Sequence, residues 1–90
     1  MKATVIGKES VSYKKKTGEQ VEGIKLYLAK KPPVSLAMSV QGMITFDEWI
    51  SKSSEEAFKF CMTVPVNSEV ELDYEVNGKY ANLVAIKKAI

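Results

Sequence analysis

The segments "SEVELDYEV" and "KYANLVAIK" are joined by Asn77-Gly78, and no other stretch of the chain restricts the fold as tightly. An Asn-Gly pair between two alternating segments is the strongest short-range hairpin signal, because both turn residues must reach positive φ. A two-residue loop also sets the register. It pairs Val76 with Lys79, Tyr74 with Ala81, Leu72 with Leu83 and Val70 with Ala85 on the apolar face. Glu75 with Tyr80, Asp73 with Asn82 and Glu71 with Val84 fall on the other face, so Tyr74 reads as core and the carboxylates as a solvated surface.

The rest of the chain supplies the elements this hairpin must pack against. Residues 2 to 13 are β-rich, with Gly7 suited to a bulge or bend. After "KKKTG", residues 19 to 30 alternate, with Ile24, Leu26 and Leu28 inward and Lys25, Tyr27 and Ala29 outward; Gly23 marks a second bend. "KKPPV" breaks regular structure because two prolines remove two backbone donors. "VSLAMSV", 34 to 40, alternates like a strand. "TFDE" has the spacing of a helix capping box, but 40 to 50 also reads as a strand, with Ile44, Phe46 and Ile50 on one face and Thr45, Asp47 and Trp49 on the other. The strand is preferred. "SSEEAFKFCM", 53 to 62, predicts a short helix with serine caps, glutamates in its first turn and Ala57, Phe60 and Cys61 on one stripe.

Ninety residues, 46% of them hydrophobic, fit one small domain spanning 1 to 90. One cysteine cannot form an internal disulfide, and neither a secretory leader nor an 18-residue apolar run is visible, which predicts a cytoplasmic chain away from the membrane. The chemistry of enzymes is poorly served. Histidine is absent, Cys61 has no partner for a zinc site, and no phosphate loop or nucleophile elbow occurs. Asp47 and Glu48, adjacent on a strand, would point to opposite faces and could not flank one bond. The expectation is a non-enzyme with no cofactor and no metal, and Cys61, between Phe60 and Met62, reads as a core thiol.

Charge is distributed unevenly although the net value is only +2. Residues 1 to 31 carry eight lysines against three glutamates, while 32 to 78 carry two lysines against eight acidic residues. A fold that keeps these apart has a positive side able to face a polyanion. All the basic residues are lysine. Lysine is a flexible point charge and lacks the planar fork with which arginine reads guanine edges, so sequence-specific readout is disfavoured.

Strand, strand, strand, short helix, strand, strand is the order of the OB-fold, a five-stranded Greek-key barrel, so the expected class is all-β with one short helix. The ordered series "MKATVIG", "KKTGEQVEGIKLYLA", "GMITFDEWIS" and "VELDYEVNGKYANL" resembles the small single-stranded DNA-binding, helix-destabilising OB-fold proteins of phages and conjugative elements. "PPVSLAMSV" departs from that pattern in being longer and more apolar. The resemblance implies a role in DNA replication and a binding face on strands 2 and 3, bordered by the loops after strands 1 and 4.

On that face the chain places Lys25, Tyr27 and Trp49, with Tyr13, Lys14, Lys15 and Lys16 at the adjoining loop and Lys30 and Lys31 at the end of strand 2. Aromatic rings for bases and ammonium groups for phosphates are what single-strand binding without sequence preference needs. Single-stranded DNA is therefore the expected partner, with RNA an open alternative and a homodimer a possible state. Each element also has a plainer reading. A three-lysine turn can be only a solvated tip, and the size of Trp49 favours burial. A rival function is a protein-binding OB module or small structural subunit, suggested by the modest charge, the acidic fourth strand and the apolar "VSLAM" segment.

Overall fold

A computed structural model describes residues 1–34 and 38–89. Its elements are β1 (Lys2–Lys14), β2 (Gln20–Lys30), β3 (Ile44–Ser51), α1 (Glu55–Thr63), β4 (Glu69–Asn77) and β5 (Tyr80–Lys88). The five strands form one antiparallel sheet in the order β3-β2-β1-β4-β5. The expected mostly-β class with one helix between the third and fourth strands is therefore correct. No helix among the described residues is long and apolar enough to cross a membrane.

The expected barrel is not closed. β3 and β5 are the two edges of the sheet, and no ladder joins them among the described residues. The cause is the offset between β1 and β4, which pair only over Lys2–Thr4 and Glu69–Glu71. Beyond that short seam the β1–β2 hairpin extends in one direction and the β4–β5 hairpin in the other, so β5 diverges from β3. The radius of gyration is 14.6 Å, against about 12 Å for a compact chain of this length.

Two bulges adjust which side chains face inward. Between Val5 and Gly7 the β1–β2 register shifts by one residue, as the glycine led us to expect, and Ile6 is left over and half-exposed. Before the bulge Ala3 and Val5 point into the core; after it the inward positions become Lys8, Ser10 and Ser12, opposite Leu26, Ile24 and Glu22. Lys8 uses this placement to donate to the Met62 and Val64 carbonyls at 3.2 and 2.9 Å, supplying a cation at the α1 C-terminus.

The second bulge lies in β5 and accompanies a correction to the hairpin. The turn is Gly78-Lys79 rather than Asn77-Gly78, with Gly78 at φ +65° and Asn77 opposite Tyr80. A glycine of positive φ at the first central position is what a type II′ turn asks for. Tyr74 thus faces Leu83, not Ala81. As far as Leu83 the slip is two residues, so Val76, Ala81, Tyr74 and Leu83 stay on their predicted face. Val84 is then skipped between the Tyr74–Leu83 and Asp73–Ala85 pairs, which reverses the phase: Ala85 moves to the Asp73 face, and Ile86, not Leu83, lies opposite Leu72 on the buried face, with Val70 opposite Lys88 rather than Ala85.

The core gathers Val5, Leu26, Leu28, Val70, Leu72 and Cys61, all essentially inaccessible, with Phe46, Ala57, Phe58 and Phe60 packed around them. The inward phase of Ile24, Leu26 and Leu28 is as predicted, and 44 to 51 is a strand with no capped helix at Thr45. Two local expectations fail. β2 passes Gly23 with no register shift, and Ser54 at the α1 N-cap makes no side-chain capping bond; the Ser51 and Ser53 hydroxyls before it bond each other at 2.9 Å. Of the strand read over 34 to 40, Ser35, Leu36 and Ala37 lie outside the described residues, while Val34, Met38 and Ser39 belong to no strand.

Candidate nucleic-acid interface

Alternation sends the odd-numbered side chains of β2 and β3 away from the core, so Lys25, Tyr27 and Trp49 share one outer face as the phase predicts. Trp49 lies directly across from Lys25 and is 44% exposed, so its size does not take it into the core. The bulge at Ile6 decides what β1 adds. By shifting the phase it brings Glu9, Val11 and Tyr13 onto this face, and Tyr13 is 51% exposed.

Both aromatic rings on the central strands rest against a glycine of the neighbouring strand. A Cβ built on Gly23 would lie 2.6 Å from Trp49 Cζ2 and 2.5 Å from the Ile50 carbonyl oxygen, so the indole occupies space that any other residue would fill. Gly7 sits directly across from Tyr27, and a Cβ there would meet the tyrosine ring at 3.5 Å. Seated this way the rings lie over backbone and leave area for a flat ligand. A shallow groove of about 640 Å³ opens beside Tyr27, between Ile6, Gly7, Thr45, Phe46 and Asp47.

The charges on this face are mixed. Lys25 Nζ is 3.6 Å from Asp47 Oδ2 and 5.7 Å from the centroid of the Tyr27 ring, while the Tyr27 hydroxyl donates to Glu9 Oε1 at 3.3 Å. One ammonium therefore stands between two carboxylates. Asp47 was legible as outward from the β3 phase; Glu9 was not, because its side depends on the bulge. The glycine seats were missed because Gly23 reads as a bend when its partner strand is unknown.

Lys14, Lys15 and Lys16 occupy the exposed tip of the β1–β2 hairpin, closed by the Lys15 N–H to the Glu19 carbonyl at 2.8 Å and by Gly18 at φ +90°. Lys15 Nζ lies 3.6 Å from Glu19 Oε2, an exposed pair that contributes little to stability. Lys14 and Lys16 have no carboxylate partner among the described residues. Lys30 stands on the inward phase at the far end of β2, its ammonium 5.4 Å from the Phe46 ring centroid and 3.4 Å from Met1 Sδ. Lys31 is exposed beyond it. The nine candidate residues thus form three groups: a lysine tip with Tyr13, a central pair of rings with Lys25, and a distal pair, Lys30 and Lys31.

The acidic fourth strand is partly neutralised within the chain. Glu71 accepts from the N-terminal ammonium at 2.9 Å, which lowers its pKa, aided by Lys2 and Lys87. Burial pushes the Cys61 thiol up to about 11, with Lys8 opposing. No group of three metal-ligating side chains is assembled among the described residues. The chain matches no protein-family model, no curated protein and no solved structure.

Proposed function

We propose that this protein binds single-stranded DNA without sequence preference, stacking bases on Trp49 and Tyr27 and holding phosphates with lysine. The observation that carries the reading is the pair of rings on one face, the exposed Trp49 over Gly23 and the half-buried Tyr27 over Gly7, with Lys25 between them. Every base has a π-face, so such a platform tolerates any sequence, and lysine adds charge without base discrimination. The element order with α1 between β3 and β4 fits an OB-fold opened along the β3–β5 seam, whose β2–β3 face would take the strand. Titrating Trp49 fluorescence with unstructured oligonucleotides at low salt tests the proposal. Saturable quenching that weakens as salt rises is expected, with similar affinities for different base compositions. A tryptophan signal that ignores DNA and RNA alike would remove the reading.

A second reading has its own support. β5 is an unpaired edge whose stretch from Tyr80 to Ile86 carries no charge, with Tyr80 and Val84 exposed. An edge stretch without charge or proline can pair with another strand, and here Lys87 and Lys88 guard only its end. As a protein-interaction module the chain would add a strand there, and its sedimentation would depend on concentration but not on oligonucleotide.

A further inference from the structure

At the end of β2 remote from the lysine tip, a groove of about 530 Å³ lies over the cross-strand pair Thr4 and Ala29. Ala29 is two residues from Tyr27 on the same phase of β2, so the groove is the next step along the outer face. Lys2, Lys30 and Lys31 line it, Met1 and Met43 wall it, and Glu69 is the one carboxylate in its lining.

These lysines differ from those nearer the rings. Lys15, Lys25 and Lys52 each have a carboxylate at 3.6, 3.6 and 2.9 Å. Lys2 and Lys31 form no salt bridge among the described residues, though Lys2 adds to the positive field on Glu71, while the Lys30 ammonium lies over the Phe46 ring. For Lys2 the reason is visible: it lies opposite Glu71, whose carboxylate is already taken by the N-terminal ammonium at 2.9 Å. Lysines outside any salt bridge therefore stand at both ends of β2, Lys14 and Lys16 at one and Lys2 and Lys31 at the other. The middle of the face holds the rings, with Glu9 on one side of Lys25 and Asp47 on the other. A nucleic-acid strand crossing β1, β2 and β3 would bring phosphates against those carboxylates. One lying along β2 would set its bases over Trp49 and Tyr27 and its phosphates at the two ends.

We infer that this groove, with Lys2 and Lys31, is a second phosphate site, and that a bound single strand runs along β2 from the lysine tip to this groove. The inference rests on the single-strand reading above. From Gln20 to Lys30 the strand covers about 33 Å, at roughly 3.3 Å per residue. A trinucleotide, at about 3.4 Å per nucleotide when stacked, falls short of that span even if unstacking doubles its length.

The experiment compares wild-type protein with the Lys2→Ala/Lys31→Ala double variant, keeping Lys30 because its ammonium lies over the Phe46 ring. Oligothymidylates of three and about ten nucleotides are titrated by Trp49 fluorescence over a range of salt. For the longer oligonucleotide, the plot of log affinity against log salt should be shallower in the variant by about 1 unit, since each phosphate contact on a single strand contributes about 0.7. The trinucleotide should bind both proteins alike. If the wild-type protein binds the longer oligonucleotide and the variant matches its slope, the groove is not on the path and the inference falls alone. If the wild-type protein binds neither oligonucleotide, the single-strand reading falls and takes the groove with it.

Discussion

The Tyr74 hydroxyl of β4 donates a 2.7 Å hydrogen bond to Glu48 Oε1 of β3, across the side of the sheet where no ladder joins the edges. Glu48 occupies an inward position between Phe46 and Ile50, where a carboxylate needs a donor. The bond supplies it and ties the diverging β4–β5 hairpin to the opposite edge. Tyr74→Phe should therefore lower stability by about 1 to 3 kcal/mol, the range for losing a bond to a partly buried charged group. Denaturant midpoints of the two proteins check this, and equal midpoints would show that water replaces the hydroxyl without cost.

The same residue gives a pH dependence with a definite sign. Burial first, and then the hydrogen bond and negative charge of Glu48, raise the Tyr74 pKa above its ordinary value. Burial likewise raises Cys61 to about 11 from 9.0. In both cases the folded protein holds its proton more tightly than the unfolded chain does, so stability is complete below the unfolded pKa and falls as pH rises through it. Thermal unfolding should show a decline beginning near pH 9 from the thiol and steepening above about 10 as unfolded tyrosine ionises. Tyr74→Phe should remove the steeper part, and a slope unchanged by that substitution would reassign it to other groups.

Gly23 and Gly7 offer a paired test of the ring seats. At Gly23 a methyl group would sit 2.6 Å from the Trp49 ring and 2.5 Å from a main-chain oxygen, so Gly23→Ala must displace the indole or the strand. Overpacking of this kind costs about 1 to 3 kcal/mol. Gly7→Ala meets Tyr27 only at 3.5 Å, and Gly7 has no positive φ, so it should be nearly neutral. Trp49 emission should shift to the red in the first variant and stay in place in the second. Identical spectra in all three proteins would mean the indole does not rest on Gly23.

What could be read from the chain, and what could not, follows from the range of the forces involved. Ile24, Leu26 and Leu28 alternate against Lys25 and Tyr27, and Phe46 and Ile50 against Asp47 and Trp49, so the local period of each strand places the rings and Lys25 on the outer face. The side taken by Glu9 and Tyr13 depends on the extra residue at Ile6; Gly7 hinted at the bulge, but only pairing with β2 shows where the phase reverses. Asn77-Gly78 pointed to the hairpin, yet core packing of Leu72 against Ile86 set the register. Closure of the barrel was beyond any local signal. It depends on the offset of Lys2–Thr4 against Glu69–Glu71, a contact between parts of the chain nearly seventy residues apart.

Tyr27→Ala probes the platform directly. Its ring is half-buried on the outer face, with a long 3.3 Å bond to Glu9 and the Lys25 ammonium 5.7 Å from its centroid, both at the surface, so its removal should cost little stability. Single-strand affinity should fall by about 1 to 3 kcal/mol, the loss of one base–aromatic stack. Loss of fold without a selective loss of affinity would assign the ring to packing.

The lysine tip is tested by replacing Lys14, Lys15 and Lys16 together with alanine. Lys14 and Lys16 have no carboxylate partner among the described residues, whereas Lys15 is shared with Glu19, so one or two of the three are free to meet phosphates. Each such contact on a single strand contributes about 0.7 to the slope of log affinity against log salt, and the triple variant should be shallower by roughly 1 to 2 units. Affinity should fall equally for every base composition, because contacts to the backbone carry no sequence information. Stability should hold, since the tip is fully exposed and buries nothing. An unchanged salt slope in a variant that folds normally would make "YKKKTG" a solvated turn, leaving the phosphate contacts to Lys25 and to the groove at the other end of β2.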